Sequence, residues 1–577
     1  MNTYTFDCVV VGTGAAGYQA ACRLKQLGKQ VALVTEGVNC GTSRNTGSDK
    51  QTYYKLGLGG SSPDSVRQMA ADLFAGGSVD GDTALCEAAL SARCFLNLCE
   101  LGVPFPVNRY GEYVGYKTDH DPYARATSAG PLTSQYMTQA LQTQAQALDI
   151  PVFDGYYAAR ILLSAGRVCG LLCIHEGKSA AFRCPDLILA TGGPAGIYAD
   201  SVYPVGHMGS TGLALAAGAD AQNLALWQYG LASTAPRWNV SGTYMQVLPR
   251  FVSVDPDGRE HDFLLEAFED PYEALNMVFL KGYQWPFDPK KAATGSSRID
   301  LLVHRETTQK RWKVYLDFTQ NPMELDFSKL SSEARSYLRR ADALFGTPIQ
   351  RLAKMNAPAI ALYQSKGVDL SKEYLPIALC AQHNNGGIAV DLWWRATVPG
   401  LYAAGECAGT HGMVRPGGSA LNAGQVGALR AAQHIANHGS APLEDSAWEA
   451  LLSALPTQGE VGSPEDPRIL EAQRQMSDCA AAVRDPDAIR NLLTQRQAQL
   501  ASPDFSALPC RLQDVLLTQA AVLTAMSATP ATPAQVQQLL STPEGFQACL
   551  RPVRPIPEDS DFFENVWRNY RKNQNIY

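Results

Sequence analysis

Apolar residues are distributed along this chain in two rhythms. Short unbroken runs read as buried parallel strands, and runs spaced three and four apart read as helices. Cys8–Val11 is the first unbroken run. It is followed by Ala16, Ala20, Leu24 and Leu27, which share one helical face. A second strand is expected from Gln30 to Thr35. Later, the stretch from Tyr157 to Glu176 reads as apolar strands around a turn at Gly166, and another apolar strand opens DLILATGGPAGIY, Asp186 to Tyr198. Near residue 400 the pattern returns, with a strand from Leu401 to Ala404 and a helix from Ser419 to Ile435 carrying small residues on one side. Between these regions, VYLDF (Val314 to Phe318) is strand-like, and the turn Asp255–Asp257–Gly258 predicts a hairpin. Beyond residue 440 the chain reads as helical and polar, with breaks at Thr457–Pro467 and Ala528–Pro533. The closing RPVRPIPEDSDFFENVW is extended by its prolines and then aromatic. No internal repeat is evident.

Glycines give the first strand its meaning. Gly12, Gly14 and Gly17 form G-x-G-x-x-G directly after it. The first permits a tight turn, the second lets backbone approach a pyrophosphate, and the third lets the helix pack closely on the sheet. The amides of Ala15 and Ala16 then open a helix N-terminus, which favours phosphate. Glu36 ends the second strand, where an acid accepts hydrogen bonds from a ribose. Ala190, Thr191 and Gly192 end a third strand as a second cofactor contact. Glu406, just after the strand at 401, is placed to bind a ribityl chain. The helix opened by Ser419, Ala420 and Leu421 points its N-terminus at a flavin pyrimidine, where reduction builds negative charge. Two distant stretches touching one nucleotide predict FAD rather than NAD.

Composition narrows the class without changing it. The 577 residues are 46% hydrophobic and 18% charged, ordinary for a globular protein of two to four domains. A net charge of −7 offers no basic field for nucleic acid or anionic lipid. No apolar run reaches the length of a membrane span, and no signal peptide is visible, so a cytoplasmic location is expected. Fourteen cysteines are scattered without CxxC spacing, which predicts reduced thiols and no metal or iron–sulfur site.

At this point the chain resembles the flavoprotein subunits of fumarate reductase and succinate dehydrogenase, with L-aspartate oxidase and adenylylsulfate reductase as relatives. The resemblance rests on ATGGPAGIY, on GSTGLALAAGAD (Gly209 to Asp220), and on GLYAAGE followed by HGMVRPGGSAL. It implies an α/β fold: a Rossmann-like FAD-binding domain of the glutathione-reductase type, an inserted α+β capping domain, and a helical C-terminal region. The corresponding boundaries are 1–234 and 359–440 for the FAD domain, 235–358 for the cap, and 441–577 for the C-terminal region.

The resemblance also assigns roles. Arg415, in HGMVR after His411, matches the pattern that grips a substrate carboxylate beside the flavin, a task suited to a planar guanidinium. In AQHNNGGIAV, either Gln382 or His383 faces the substrate, since the spacing is one residue short of the family's. Arg298, in SSRIDLLVHRE, is the best match to the family's proton-donating arginine, with His304 and Arg305 as rivals. The candidate catalytic set is therefore Arg298, Arg415 and His383, with Gln382 and His411 joining in substrate binding.

Two departures qualify the likeness. Gly230 stands in Gln228-Tyr229-Gly230-Leu231-Ala232 where the family carries a histidine that binds one end of a dicarboxylate, which argues against fumarate or succinate. The loop GTSRNTGSDKQTYY holds no histidine to which FAD is attached in respiratory members, so non-covalent FAD is expected. Ser43, Arg44, Asn45, Ser48, Asp49 and Lys50 of this loop are expected near the pyrophosphate or isoalloxazine. The implied chemistry is hydride transfer between flavin N5 and a small unsaturated carboxylate or related acid. Two alternatives stay open: the flavin subunit of an electron-transfer complex with a separate iron–sulfur or flavin donor protein, and an amino-acid-type oxidase or dehydrogenase.

Overall fold

The computed structural model describes residues 1–61, 63–118, 120–455, 459–558 and 563–573. The first two residues of the break expected at Thr457–Pro467, and residues 559–562 of the terminal aromatic segment, lie outside the described residues.

A five-stranded parallel sheet forms the base. Its order is Leu401–Ala403, Asp186–Leu189, Cys8–Val11, Val31–Thr35 and Val152–Asp154. All of Cys8–Val11 and Val31–Thr35 is buried, which is why both read as unbroken apolar runs. The helices Ala15–Gln26 and Ser419–His438 cover it side by side. Gln425 of the second donates to the Ala15 carbonyl of the first at 3.0 Å. Gly12 has φ +107°, and a Cβ there would stand 2.3 Å from the Ala190 carbonyl oxygen. A Cβ on Gly17 would stand 2.0 Å from the Gly12 oxygen. Close helix–sheet packing therefore requires both glycines. Parallel strands that share one carboxyl edge place their following loops together, and a crevice forms there.

The second layer is a six-stranded antiparallel sheet in the order Arg237–Asn239, Trp227–Thr234, Leu375–Asn384, Lys313–Asp317, Arg250–Val254 and Glu260–His261. The hairpin turn at Asp257–Gly258 and the strand around Val314–Leu316 lie where the sequence places them. This sheet draws strands from both sides of residues 235 and 358, so the inserted segment is sewn to the base rather than hung from it. Helices Pro271–Lys281, Ser297–His304, Ser332–Arg340 and Pro348–Ser365 belong to this layer. A buried ion pair of 2.5 Å between Lys281 and Asp300 joins the first two. A four-stranded sheet, Asn2–Thr5, Lys178–Arg183, Arg167–His175 and Tyr157–Ser164, flanks the base, with Gly166 at φ +76° in its turn.

After residue 440 the chain is largely helical, notably Pro467–Cys479, Pro486–Leu500 and Cys510–Ser527. It then returns as a hairpin, Gln535–Thr542 with Gly545–Pro552, paired to Ala221–Gln222. The glutamines at 535, 537 and 538 hide this strand from a hydrophobic pattern, although Val536 and Leu539 are buried. Among the described residues no helix is long and apolar enough to cross a membrane.

Candidate active site

One large cleft of about 1060 Å³ opens where the two layers meet. Gly12, Gly14, Ala15 and Ala16 line it from the first strand–helix turn; Gly418, Ala420 and Leu421 line it from the distant helix. The two glycine-rich segments thus share one crevice. Gly14 turns toward open space, with only the Ser43 side chain near a notional Cβ, its hydroxyl at 3.1 Å. The same Ser43 hydroxyl accepts from the Ala15 amide at 3.3 Å, which fixes the loop over the helix N-terminus.

At the other end, Glu36, Ala190, Thr191 and Gly192, the residues proposed from the sequence to touch the nucleotide, line the cleft. Glu36 is joined there by Arg511, at 2.8 Å, from the C-terminal helix. Arg511 also donates to the carbonyls of Gly206 and Gly462 and lies over the Tyr157 ring. Sequence reasoning missed Arg511, because nothing local in CRLQD marks it as a partner of a residue 475 positions earlier. His207 was missed for the same reason. It lines the cleft half-buried, and loss of water around the ring pushes its pKa down to about 4.

In the 41–54 loop the structure separates the candidates. Ser43, Ser48, Asp49 and Lys50 line the cleft. Asp49 spends its carboxylate on the Thr243 amide and hydroxyl, at 2.8 and 3.0 Å, tying the loop to the second layer. Arg44 and Asn45 are not brought to the cleft. Arg44 turns to Gln142 at 2.7 Å, and Asn45 donates to the carbonyls of Asn39 and Gly41. The loop's short helix Thr42–Asn45 points those two side chains away from the crevice.

Where the layers close, Arg415 donates to the Gln228 side chain at 2.8 Å, while its Nε is buried without a protein partner. Desolvation lowers its pKa to about 10, so it remains a cation at neutral pH. His383 sits beside it, with Nδ1 3.0 Å from the Asn385 amide oxygen and Nε2 unpartnered, 3.9 Å from Glu406. Burial and then the Arg415 charge hold His383 well below the usual imidazole range. Both amide atoms of Gln382 are buried and unpartnered, and both Gln382 and His383 line the cleft. Glu406 accepts from the Asn384 amide at 3.0 Å and bonds Tyr203; desolvation pushes it up to about 7.

The remaining candidates lie apart. Ser419 and His411 face a water-sized void behind Arg415, shared with Glu87 and Thr410. Gly17 is consumed in helix packing. Arg298 is outside the cleft: its guanidinium lies over the Phe268 ring at 4.0 Å, donates to the Ala267 carbonyl at 2.9 Å and faces Glu273. The helix Ser297–His304 turns Asp300, not Arg298, inward, because Asp300 pairs with buried Lys281. Arg298 therefore does not line the cleft.

The FAD binding domain profile matches residues 7–421. The chain belongs to that family. Its cofactor is accordingly FAD, and the cleft suits the group: an open cradle at Gly14, two helix N-termini, and buried polar atoms left without partners. L-aspartate oxidase of Mycobacterium tuberculosis (strain ATCC 25618 / H37Rv) is 25% identical over 92% of this chain and 90% of its own length. A subunit of the fumarate reductase (CoM/CoB) of Methanothermobacter marburgensis is 25% identical over 74% of this chain and 72% of its own. In fold, the chain matches quinol fumarate reductase of E. coli with TM-score 0.66 at 18% identity, covering 98% of this chain and 99% of that one. Both layers and the C-terminal helices are therefore those of the succinate dehydrogenase and fumarate reductase flavoproteins, and the protein is an FAD-dependent oxidoreductase.

Proposed function

We propose that this enzyme moves hydride between FAD and the carbon skeleton of a small unsaturated carboxylic acid or related acid, with fumarate itself disfavoured. The observation that supports this reading most is Arg415, a half-buried guanidinium whose Nε is buried and unpartnered, lining the same cleft as Gln382 and the unpartnered Nε2 of His383.

When bound, FAD supplies the hydride donor or acceptor. The chain's own residues do the rest. Arg415 pairs the substrate carboxylate and draws negative charge toward it, which stabilises charge developing on the adjacent carbon until that carbon takes its proton from solvent in the cleft. Its orientation is held by Gln228. His383 stays neutral at physiological pH, so it acts as a hydrogen-bonding group and not as an acid. Its Nδ1 faces the Asn385 oxygen and therefore carries the proton, leaving Nε2 to accept from the substrate. With no histidine in the 41–54 loop, FAD is held without a covalent bond.

A second reading runs the reaction toward oxidation of an amino acid. The vacant acceptor at His383 Nε2 suits a substrate N–H, and the L-aspartate oxidase likeness spans most of the chain. An anaerobic screen decides between these. Photoreduced enzyme reoxidised by an enoate supports the first reading. Hydrogen peroxide formed from an amino acid in air supports the second. Failure of every acid to change the flavin spectrum contradicts both.

A further inference from the structure

Gly230 leaves a space on the strand Trp227–Thr234, and two side chains meet in it. A Cβ built on Gly230 would stand 2.6 Å from the Trp285 indole nitrogen and 2.8 Å from the Gln382 amide nitrogen. Both nitrogens are buried, both lack a protein partner, and both residues line the cleft. Gln382 is only 7% exposed. The segment that carries the indole is tied down on either side of it. The Phe287 amide donates to the Tyr229 carbonyl at 2.7 Å, and Lys281, itself paired with Asp300, donates to the Gln284 carbonyl at 3.2 Å. Two N–H donors thus stand close to one point of the cleft wall, and neither has an acceptor in the protein. Leaving such donors unmet in a buried wall is costly, so the spot is built for a hydrogen-bond acceptor.

Resting on the reading of Arg415 as carboxylate anchor, we propose that Trp285 and Gln382 select substrates whose far end is a neutral hydrogen-bond acceptor, such as an ester, amide or ketone carbonyl. The charge of the spot decides this. An indole N–H and a carboxamide carry no formal charge, so a second carboxylate would lose its water without gaining a cation. A neutral carbonyl loses less water and gains the same two donors. Lys290 and Lys291 line the same cleft from the turn Pro289–Lys291. Lys290 is exposed, and a solvated ammonium at a rim steers acids inward more than it binds them.

The test uses purified FAD-loaded protein and three saturated acids: succinate, monomethyl succinate and butyrate, mixed without air so that binding is read before any turnover. Binding is read from perturbation of the flavin absorbance. Wild type is expected to bind the monoester about tenfold more tightly than succinate. Trp285→Phe, which keeps the ring and removes the donor, and Gln382→Leu should each weaken monoester binding severalfold more than butyrate binding, and so shrink that preference. Succinate binding as tightly as the monoester, or both variants keeping the wild-type preference, overturns the proposal and assigns the far end to the lysines. The corresponding enoates are then offered to reduced enzyme. Monoester preference without any reoxidation sinks the proposed reaction and leaves this inference standing. Reoxidation with fumarate preferred does the reverse. No binding by any acid of the set overturns both.

Discussion

The two ends of the cleft are built by different means. At the nucleotide end the walls are largely backbone: Gly12, Gly14, Ala15 and Ala16 of the first strand–helix turn, with Gly17 packed behind them against the Gly12 carbonyl, and the turn at Gly418 before the helix Ser419–His438. At the substrate end the walls are side chains gathered from separate segments: Gln228, Trp285, Gln382, His383 and Arg415. Backbone walls tolerate no added atom but need no particular neighbour. Side-chain walls can be exchanged one at a time, because each side chain comes from its own segment. A constant cofactor with a variable substrate is what such a division permits.

The sharpest break in that comparison is Gly17→Val. Its side chain meets the Gly12 carbonyl oxygen at a distance no real contact adopts. Loss of bound flavin and of most folded protein is expected, read from the flavin-to-protein ratio. Arg415→Lys should instead retain flavin and fold, and lose turnover by roughly a hundredfold or more, because an ammonium cannot pair two carboxylate oxygens. Steady-state rates at matched flavin content check this. If Arg415→Lys sheds its flavin, the two ends are not separable.

Arg511→Ala tests the side chain that intrudes on the backbone-built end. It removes the Glu36 partner and two carbonyl contacts. FAD affinity should weaken by about tenfold, with the spectrum of loaded enzyme unchanged. Unaltered affinity would make the pair a tie between the C-terminal helix and the base, and no more.

The smallest effect concerns pH. Burial raises the Glu87 carboxyl from 4.5 to about 8. In the unfolded chain it ionises near pH 4.5, so between these values the folded state binds the extra proton. Its contribution to stability is therefore full in acid and declines as pH rises from about 4.5 to about 8. Glu87→Gln should flatten that decline in the melting temperature of flavin-free protein. A variant whose melting temperature falls with pH as steeply as wild type would show that Glu87 keeps its charge when folded.

The same division explains what could be read in the sequence. Backbone constraints write themselves locally: G-x-G-x-x-G, ATGG and the glycine pair before Ser419 each sit within a few residues of what they serve. The base, the two covering helices and the FAD crevice followed from them. The substrate end depends on neighbours brought together from distant parts of the chain. Arg298 was expected in the site from a short local likeness, yet the helix phase is set by the Lys281–Asp300 pair, which no local pattern announces. Trp285 lay in a segment that reads only as aromatic and proline-rich. Arg44 and Asn45 belonged to the right loop, but on the face that a single helical turn sends outward. Gly230 was visible as a departure, and only the packing around it shows what took the empty place.

FAD and an acid should lie together in the cleft, with the acid's carboxylate on Arg415. A density map of the FAD-loaded protein soaked with monomethyl succinate addresses this directly. The expected map shows the isoalloxazine between the turn at Gly14 and the helix opened by Ser419, and the carboxylate within hydrogen-bond distance of Arg415. Flavin density elsewhere, or a carboxylate seated away from Arg415 with that guanidinium still bound only to Gln228, would contradict it.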